Sequence, residues 1–134
     1  MYKFVDHTAD VKVIATGKTF EDALQSIVDA VVSLISKQNR KGASPEIKKE
    51  FSFKGKFRED LIIGLIEDIL YRIETLRLVP KRVKLKNINL SNFSVDYLII
   101  GNHGIANNII KAATFHQLSI KRGKEWRIEV VLDV

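Results

Sequence analysis

Two stretches near the ends of this chain carry its strongest candidates for chemistry. The first is Asp6-His7-Thr8-Ala9-Asp10, two carboxylates around a small turn just ahead of an alternating apolar segment. Acids so placed commonly accept backbone N–H bonds in an Asx turn, and that structural role is the default. The chemical alternative is that one of them joins another carboxylate around a hard cation. The second stretch runs from Lys111 to Val134 and contains Lys111, His116 and Asp133. A three-residue loop that pairs Lys121 with Glu125 puts Ala113 opposite Asp133 and keeps both apolar sets on one face, whereas a one-residue slip would invert them. Lys111 then lies diagonal to Asp133, within reach of a long side chain. In that register His116 points among aliphatic residues, as a hydrogen-bonded core histidine rather than a ligand.

Other catalytic chemistry finds little support. His7, His103 and His116 lack close metal-ligand spacing, and no H-E-x-x-H, P-loop, G-x-G-x-x-G or G-x-S-x-G run occurs. With zero cysteines, disulfides, zinc–thiolate sites, iron–sulfur clusters and cysteine nucleophiles are excluded. A metal-dependent phosphotransferase or hydrolase using a pair of carboxylates is a further reading, but it has no clear nucleophile or general base.

These residues must be positioned by a few recognisable elements. Thr19, with Asp22 three residues on, is a variant of the capping box. Phe20, Ala23, Leu24, Ile27, Val28, Val31, Leu34 and Ile35 then follow at helical spacing. A second amphipathic helix is expected from about Arg58 to Leu76, with Glu59, Asp60, Glu67, Asp68 and Glu74 facing water. Strands are expected over 10–16, 47–55, 79–89, 93–100, 109–121 and 126–134, the last four as two hairpins turning at Ser91–Asn92 and Arg122–Gly123–Lys124. This order predicts an α+β fold, two helices packed on a mostly antiparallel or mixed β-sheet.

The 134 residues are expected to form a single domain, 1–134, with Lys37–Glu46 as an exposed loop within it. No stretch resembles a signal peptide or reaches the roughly 18–20 apolar residues of a membrane span, so a cytoplasmic protein without a membrane partner is expected. Net charge is +6 and unevenly spread: residues 37–58 hold eight Lys/Arg against two acids, and 77–92 hold five against none. Those segments could face RNA phosphates, although lysines also keep edge strands soluble. Aromatic residues are too sparse for a base-stacking platform.

Several motifs, taken together and in order, resemble the archease family. They are Asp6-His7-Thr8-Ala9-Asp10, Gly17-Lys18-Thr19-Phe20-Glu21-Asp22-Ala23, the acidic-and-leucine stretch Asp60-Leu61 to Ile69-Leu70-Tyr71, Lys111-Ala112-Ala113-Thr114-Phe115-His116, and Val131-Leu132-Asp133-Val134. The resemblance spans essentially the whole chain. It implies an archease-like α+β protein that is not itself an enzyme. Its expected work is to activate an RtcB-type RNA ligase in tRNA splicing and RNA repair, by promoting the ligase's guanylylation and multiple turnover. It also implies a divalent cation, Ca²⁺ or otherwise Mg²⁺, held by Asp10, Asp133 and the backbone or terminal oxygen of Val134. Lys111 takes the place of the family's functionally important lysine, and Asp6 belongs to the same motif. Action as a chaperone or modulator of tRNA-modifying enzymes, such as a tRNA methyltransferase, is the alternative implied. tRNA or its processing enzymes would be further partners through the basic segments. The chain departs from the family pattern at 101–108, which is short, and at Asn108-Ile109-Ile110, where a Glu-Val pair is common.

Overall fold

The computed structural model describes residues 1–6, 10–37, 45–105 and 110–134. Among them, seven strands pair throughout in antiparallel fashion and form two sheets. In chain order the elements are β1 (Tyr2–Asp6), β2 (Asp10–Gly17), α1 (Phe20–Lys37), β3 (Glu46–Lys54), a 3₁₀ turn (Arg58–Leu61), α2 (Ile63–Leu76), β4 (Leu78–Asn89), β5 (Ser94–His103), β6 (Ala112–Arg122) and β7 (Trp126–Asp133). The larger sheet has the order β1-β2-β7-β6 and the smaller β3-β5-β4. The α+β class agrees with expectation, but the strands divide between two sheets. Alternation shows which face of a strand is buried, and it does not say which strand lies alongside.

Helix α1 starts where its cap predicts, with the Asp22 N–H donating to Thr19 Oγ1 at 3.1 Å. The turn into it is tight. A Cβ on Gly17 would stand 2.5 Å from the Ala23 nitrogen, so a side chain there would force β2 and α1 apart. The apolar stripe of α1 is buried as expected except for Leu34, which is partly exposed, and Ala30 and Val32 are buried as well. The reason is that α1 packs against β2 and β7 of one sheet and also against β4 of the other. Its Gln25 amide spans the β4 edge, donating to the Val83 carbonyl and accepting from the Leu85 N–H, both at 2.9 Å. A side chain thus supplies the bonds a further strand would make.

The second helix begins as a 3₁₀ turn and becomes α-helical only at Ile63, ending on Arg77 in the left-handed region (φ 52°). Its acids are not all solvent-facing. Asp68 accepts the hydroxyl of the fully buried Tyr97, and burial followed by that carboxylate pushes the phenol far above its ordinary range. Asp60 accepts the Lys56 N–H at 2.7 Å. Strand β1 was not expected. It is a five-residue edge held by pairing from Tyr2↔Ala15 to Asp6↔Val11, with Tyr2 and Phe4 in edge-to-face contact at 5.4 Å and packed on the core. The expected loop at 37–46 falls mostly outside the described residues.

Candidate cation site at the end of the four-stranded sheet

Strand β7 lies between β2 and β6, and that placement assembles the site. β2 begins at Asp10 and β7 ends at Asp133, and their register sets these two residues directly opposite each other. On the other side of β7, Asp133 faces Ala112, the first residue of β6. The Lys111 N–H donates to the Asp133 carbonyl at 2.7 Å. Asp10, Lys111 and Asp133, far apart in sequence, therefore meet at one end of one sheet.

The surroundings differ from side chain to side chain. Asp10 is partly buried, with its Oδ1 atom fully so, whereas Asp133 and Lys111 are exposed. Among the described residues, Lys111 and Asp133 form no ion pair with each other. Two residues along β2, Lys12 is engaged by Glu129 at 3.2 Å. Val134 packs against the core cluster at the end of β7. Asp6 closes β1 with Val11 as its Cα partner, one step along from the Asp10 position. The Asp6 side chain, His7, Thr8, Ala9 and residues 106–109 lie outside the described residues, and with them part of the 101–108 stretch.

Like charges directly opposite on paired strands repel, and a cation between them converts repulsion to attraction. The donors available are all oxygens, which suits a hard cation such as Ca²⁺ or Mg²⁺. Among the described residues no group of three or more His, Cys, Asp or Glu side chains converges. The two aspartates would therefore need a backbone or terminal oxygen, for which Val134 is the adjacent candidate, or the Asp6 carboxylate.

Two features of β6 were not foreseen. Its pairing with β7 shifts between Thr114↔Val131 and Ser119↔Glu129, so residues 115–118 bulge out against Val130 alone, with Gln117 at φ 60°. The hairpin does turn through three residues, but it pairs Arg122 with Trp126 rather than Lys121 with Glu125. Within the bulge His116 is exposed, with its N–H donating to Thr114 Oγ1 at 3.0 Å, which overturns its reading as a core histidine. Phe115 is 54% exposed beside it. The second feature is Glu67 of α2, which accepts the Ala113 N–H at 2.7 Å and so pins the start of β6 behind the site. Glu67 was expected to face water. Its place off the apolar stripe of α2 gave no signal of this bond.

The sequence pattern that describes the archease protein family matches residues 2–134. The chain belongs to the archease family. The protein archease of Methanosarcina barkeri is 29% identical to it over 99% of this chain and 95% of that one. The protein archease of Thermoplasma acidophilum is 28% identical, over 99% and 93%. Among solved structures, that of Methanobacterium thermoautotrophicum protein 1598 superposes with a TM-score of 0.67 at 20% identity, covering 99% of this chain and 98% of that one. A Thermotoga maritima archease, described as a possible chaperone, superposes with a TM-score of 0.62 at 22% identity, covering 100% and 98%. At such identities the structural likeness concerns the archease fold alone.

Proposed function

We propose that this chain activates an RtcB-type RNA ligase, promoting the ligase's guanylylation and turnover, and that it is not itself the catalyst. The observation that carries the proposal is the meeting of Asp10, Asp133 and Lys111 at one sheet end, in a chain of the archease family. In this reading Asp10, Asp133 and Val134 hold a divalent cation, Ca²⁺ before Mg²⁺, and Lys111 and Asp6 serve the activation itself. A bound cation would supply positive charge where a nucleotide phosphate is handled, and phosphoryl transfer depends on such neutralisation and positioning. The protein's own residues do the placing. Glu67 fixes the start of β6, the Asp133 carbonyl fixes the Lys111 backbone, and the exposed lysine side chain is left to reach a partner.

The test is formation of the ligase–guanylate adduct from ligase, GTP and Mn²⁺ with this protein substoichiometric. Adduct should form faster with wild type, and not with Asp10→Ala or Lys111→Ala once circular dichroism shows that both fold. Normal stimulation by both variants would refute the site. Phosphoester turnover by this protein alone would instead favour a hydrolase. Action as a chaperone for tRNA-modifying enzymes is the second reading, in keeping with the description of the Thermotoga maritima archease of the same fold as a possible chaperone.

A further inference from the structure

The two basic segments of the sequence, 37–58 and 77–92, supply the two outer strands, β3 and β4, of one sheet. Strand β5 runs between β3 and β4, and its register sets Lys48 and Arg82 on either side of Ile100, and Glu50 and Lys84 on either side of Leu98. Ser52 and Lys86 flank Asp96, and Lys54 stands beside Ser94. These residues share the face turned away from the core, while Phe51, Phe53, Val83, Val95, Tyr97 and Ile99 occupy the other.

All three acids on the outer face are engaged, Glu46 by Lys81 at 3.2 Å. Glu50 takes Lys86 at 2.9 Å, and Asp96 accepts from Ser52 at 2.6 Å and from Asn87 at 3.0 Å. The Ser52 bond first, and then Asn87, hold the Asp96 carboxyl below its usual range, so it remains an acceptor for its neighbours. Lys48, Lys54, Arg82 and Lys84 are exposed and have no ion pair among the described residues. Ile100 is only 5% exposed although it lies on this outer face between Lys48 and Arg82. Long basic side chains shelter such a residue by laying their stems across it while the charged heads stay in water.

We propose that this outer face of the β3-β5-β4 sheet binds the phosphodiester backbone of a nucleic acid duplex, without reading its sequence. Rows two residues apart along a strand are about 7 Å apart, and β3 and β4 are about 10 Å apart across β5. Four cations without an ion pair among the described residues are thus spread across the sheet face rather than gathered at one point. Such an array suits a polyanion whose charges are also spread out, through release of its counterions. Among the described residues no aromatic side chain lies on the face to stack an unpaired base, which argues for a duplex over a single strand. The same lack argues against an acidic protein, because protein interfaces are anchored by buried aromatic residues. The proposal does not depend on ligase activation.

The experiment is titration of the full chain against short RNA and DNA duplexes of random sequence, between about 50 and 200 mM salt. Four backbone contacts predict a log–log salt slope of about −3.6, hence roughly a 100-fold loss of affinity over that range. Each of Lys48→Gln, Lys54→Gln, Arg82→Gln and Lys84→Gln should flatten the slope by about 0.9, and the quadruple variant should abolish binding. Equal binding of RNA and DNA assigns the face to the shared backbone, and preference for RNA adds a contact to its 2′-hydroxyls. Wild-type affinity in the folded quadruple variant, or a salt-independent affinity in wild type, would overturn the proposal. Tighter binding of a polyglutamate than of either duplex would overturn it in favour of an acidic protein. Guanylylation needs no RNA, so the quadruple variant should still stimulate the ligase, and the two readings can fail separately.

Discussion

Replacing Asp133 with asparagine should change stability in opposite directions with and without a divalent cation. Asp133 and Asp10 are direct neighbours across β2 and β7, and the substitution keeps shape while removing one of two opposed charges. Like charges so placed destabilise an antiparallel pair by about 0.2–1 kcal/mol, and the lower end applies here because Asp133 is exposed to screening solvent. In chelator, then, Asp133→Asn should melt at or slightly above the wild-type temperature. A cation bound only to the folded state at about 100 times its Kd stabilises by about 2.7 kcal/mol. At about 3–5 °C per kcal/mol for a chain of this size, millimolar Ca²⁺ should raise the wild-type Tm by roughly 10 °C. Asp133→Asn should lose nearly all of that rise. The assay is thermal unfolding by circular dichroism in chelator, CaCl₂ and MgCl₂, with Glu74→Gln on α2 as a charge-matched control that keeps the full response. A wild-type Tm unmoved by either ion, or an Asp133→Asn variant that keeps the increment, would refute the reasoning.

Glu67→Ala strands the Ala113 N–H and should cost about 1–3 kcal/mol by urea unfolding, whereas Glu67→Gln, still an acceptor, should cost much less. His116→Ala should leave stability within about 0.5 kcal/mol, since the ring is exposed; a loss of several kcal/mol would restore it to the core. Gly64→Ala would place a Cβ 2.5 Å from the Phe53 ring and should cost about 1–3 kcal/mol by urea unfolding, recovered in part by Phe53→Leu. The Tyr97 phenol is raised in the fold, so its contribution to stability is present below pH 10 and is lost as pH rises beyond it; Tyr97→Phe should flatten that alkaline decline in urea unfolding.

The legible parts of the sequence were those where one local rule acts alone. The stripe of α1 repeats over four turns and its cap lies at Thr19, so the start of this helix could be read to the residue. The N-terminal acids and Asp133 could be singled out, but their meeting across β2 and β7 depends on β7 inserting between β2 and β6, which no local pattern encodes. The ligand set came from family resemblance rather than from spacing. Helical periodicity assigns Glu67 and Asp68 to solvent because it separates apolar from polar residues and is blind to a backbone N–H or a tyrosine hydroxyl waiting across the interface. Strand β1 escaped because five residues with charges at Lys3 and Asp6 give too short an alternation to stand out from a loop.

The β6 bulge joins two of these observations. At the turn, Arg122 pairs with Trp126; carried on without interruption, seven steps would put Phe115 opposite Asp133. Lys111 would then overhang the last residue of β7 by some four positions, well over 10 Å from Asp133 along the strand at about 3.4 Å per residue. The structure instead pairs Ala112 with Asp133, because the bulge takes up three extra residues of β6 against Val130. Ile120 with Ile128 and Ala113 with Leu132 are both kept on the core face by the same device, which a uniform register could not do, since an offset of three is odd and inverts the faces. The exposure of Phe115 and His116, the left-handed Gln117 and the arrival of Lys111 at the acid pair are therefore one structural event. Bulges of this kind recur beside functional sites because they re-aim a strand locally while leaving the rest of the sheet in place.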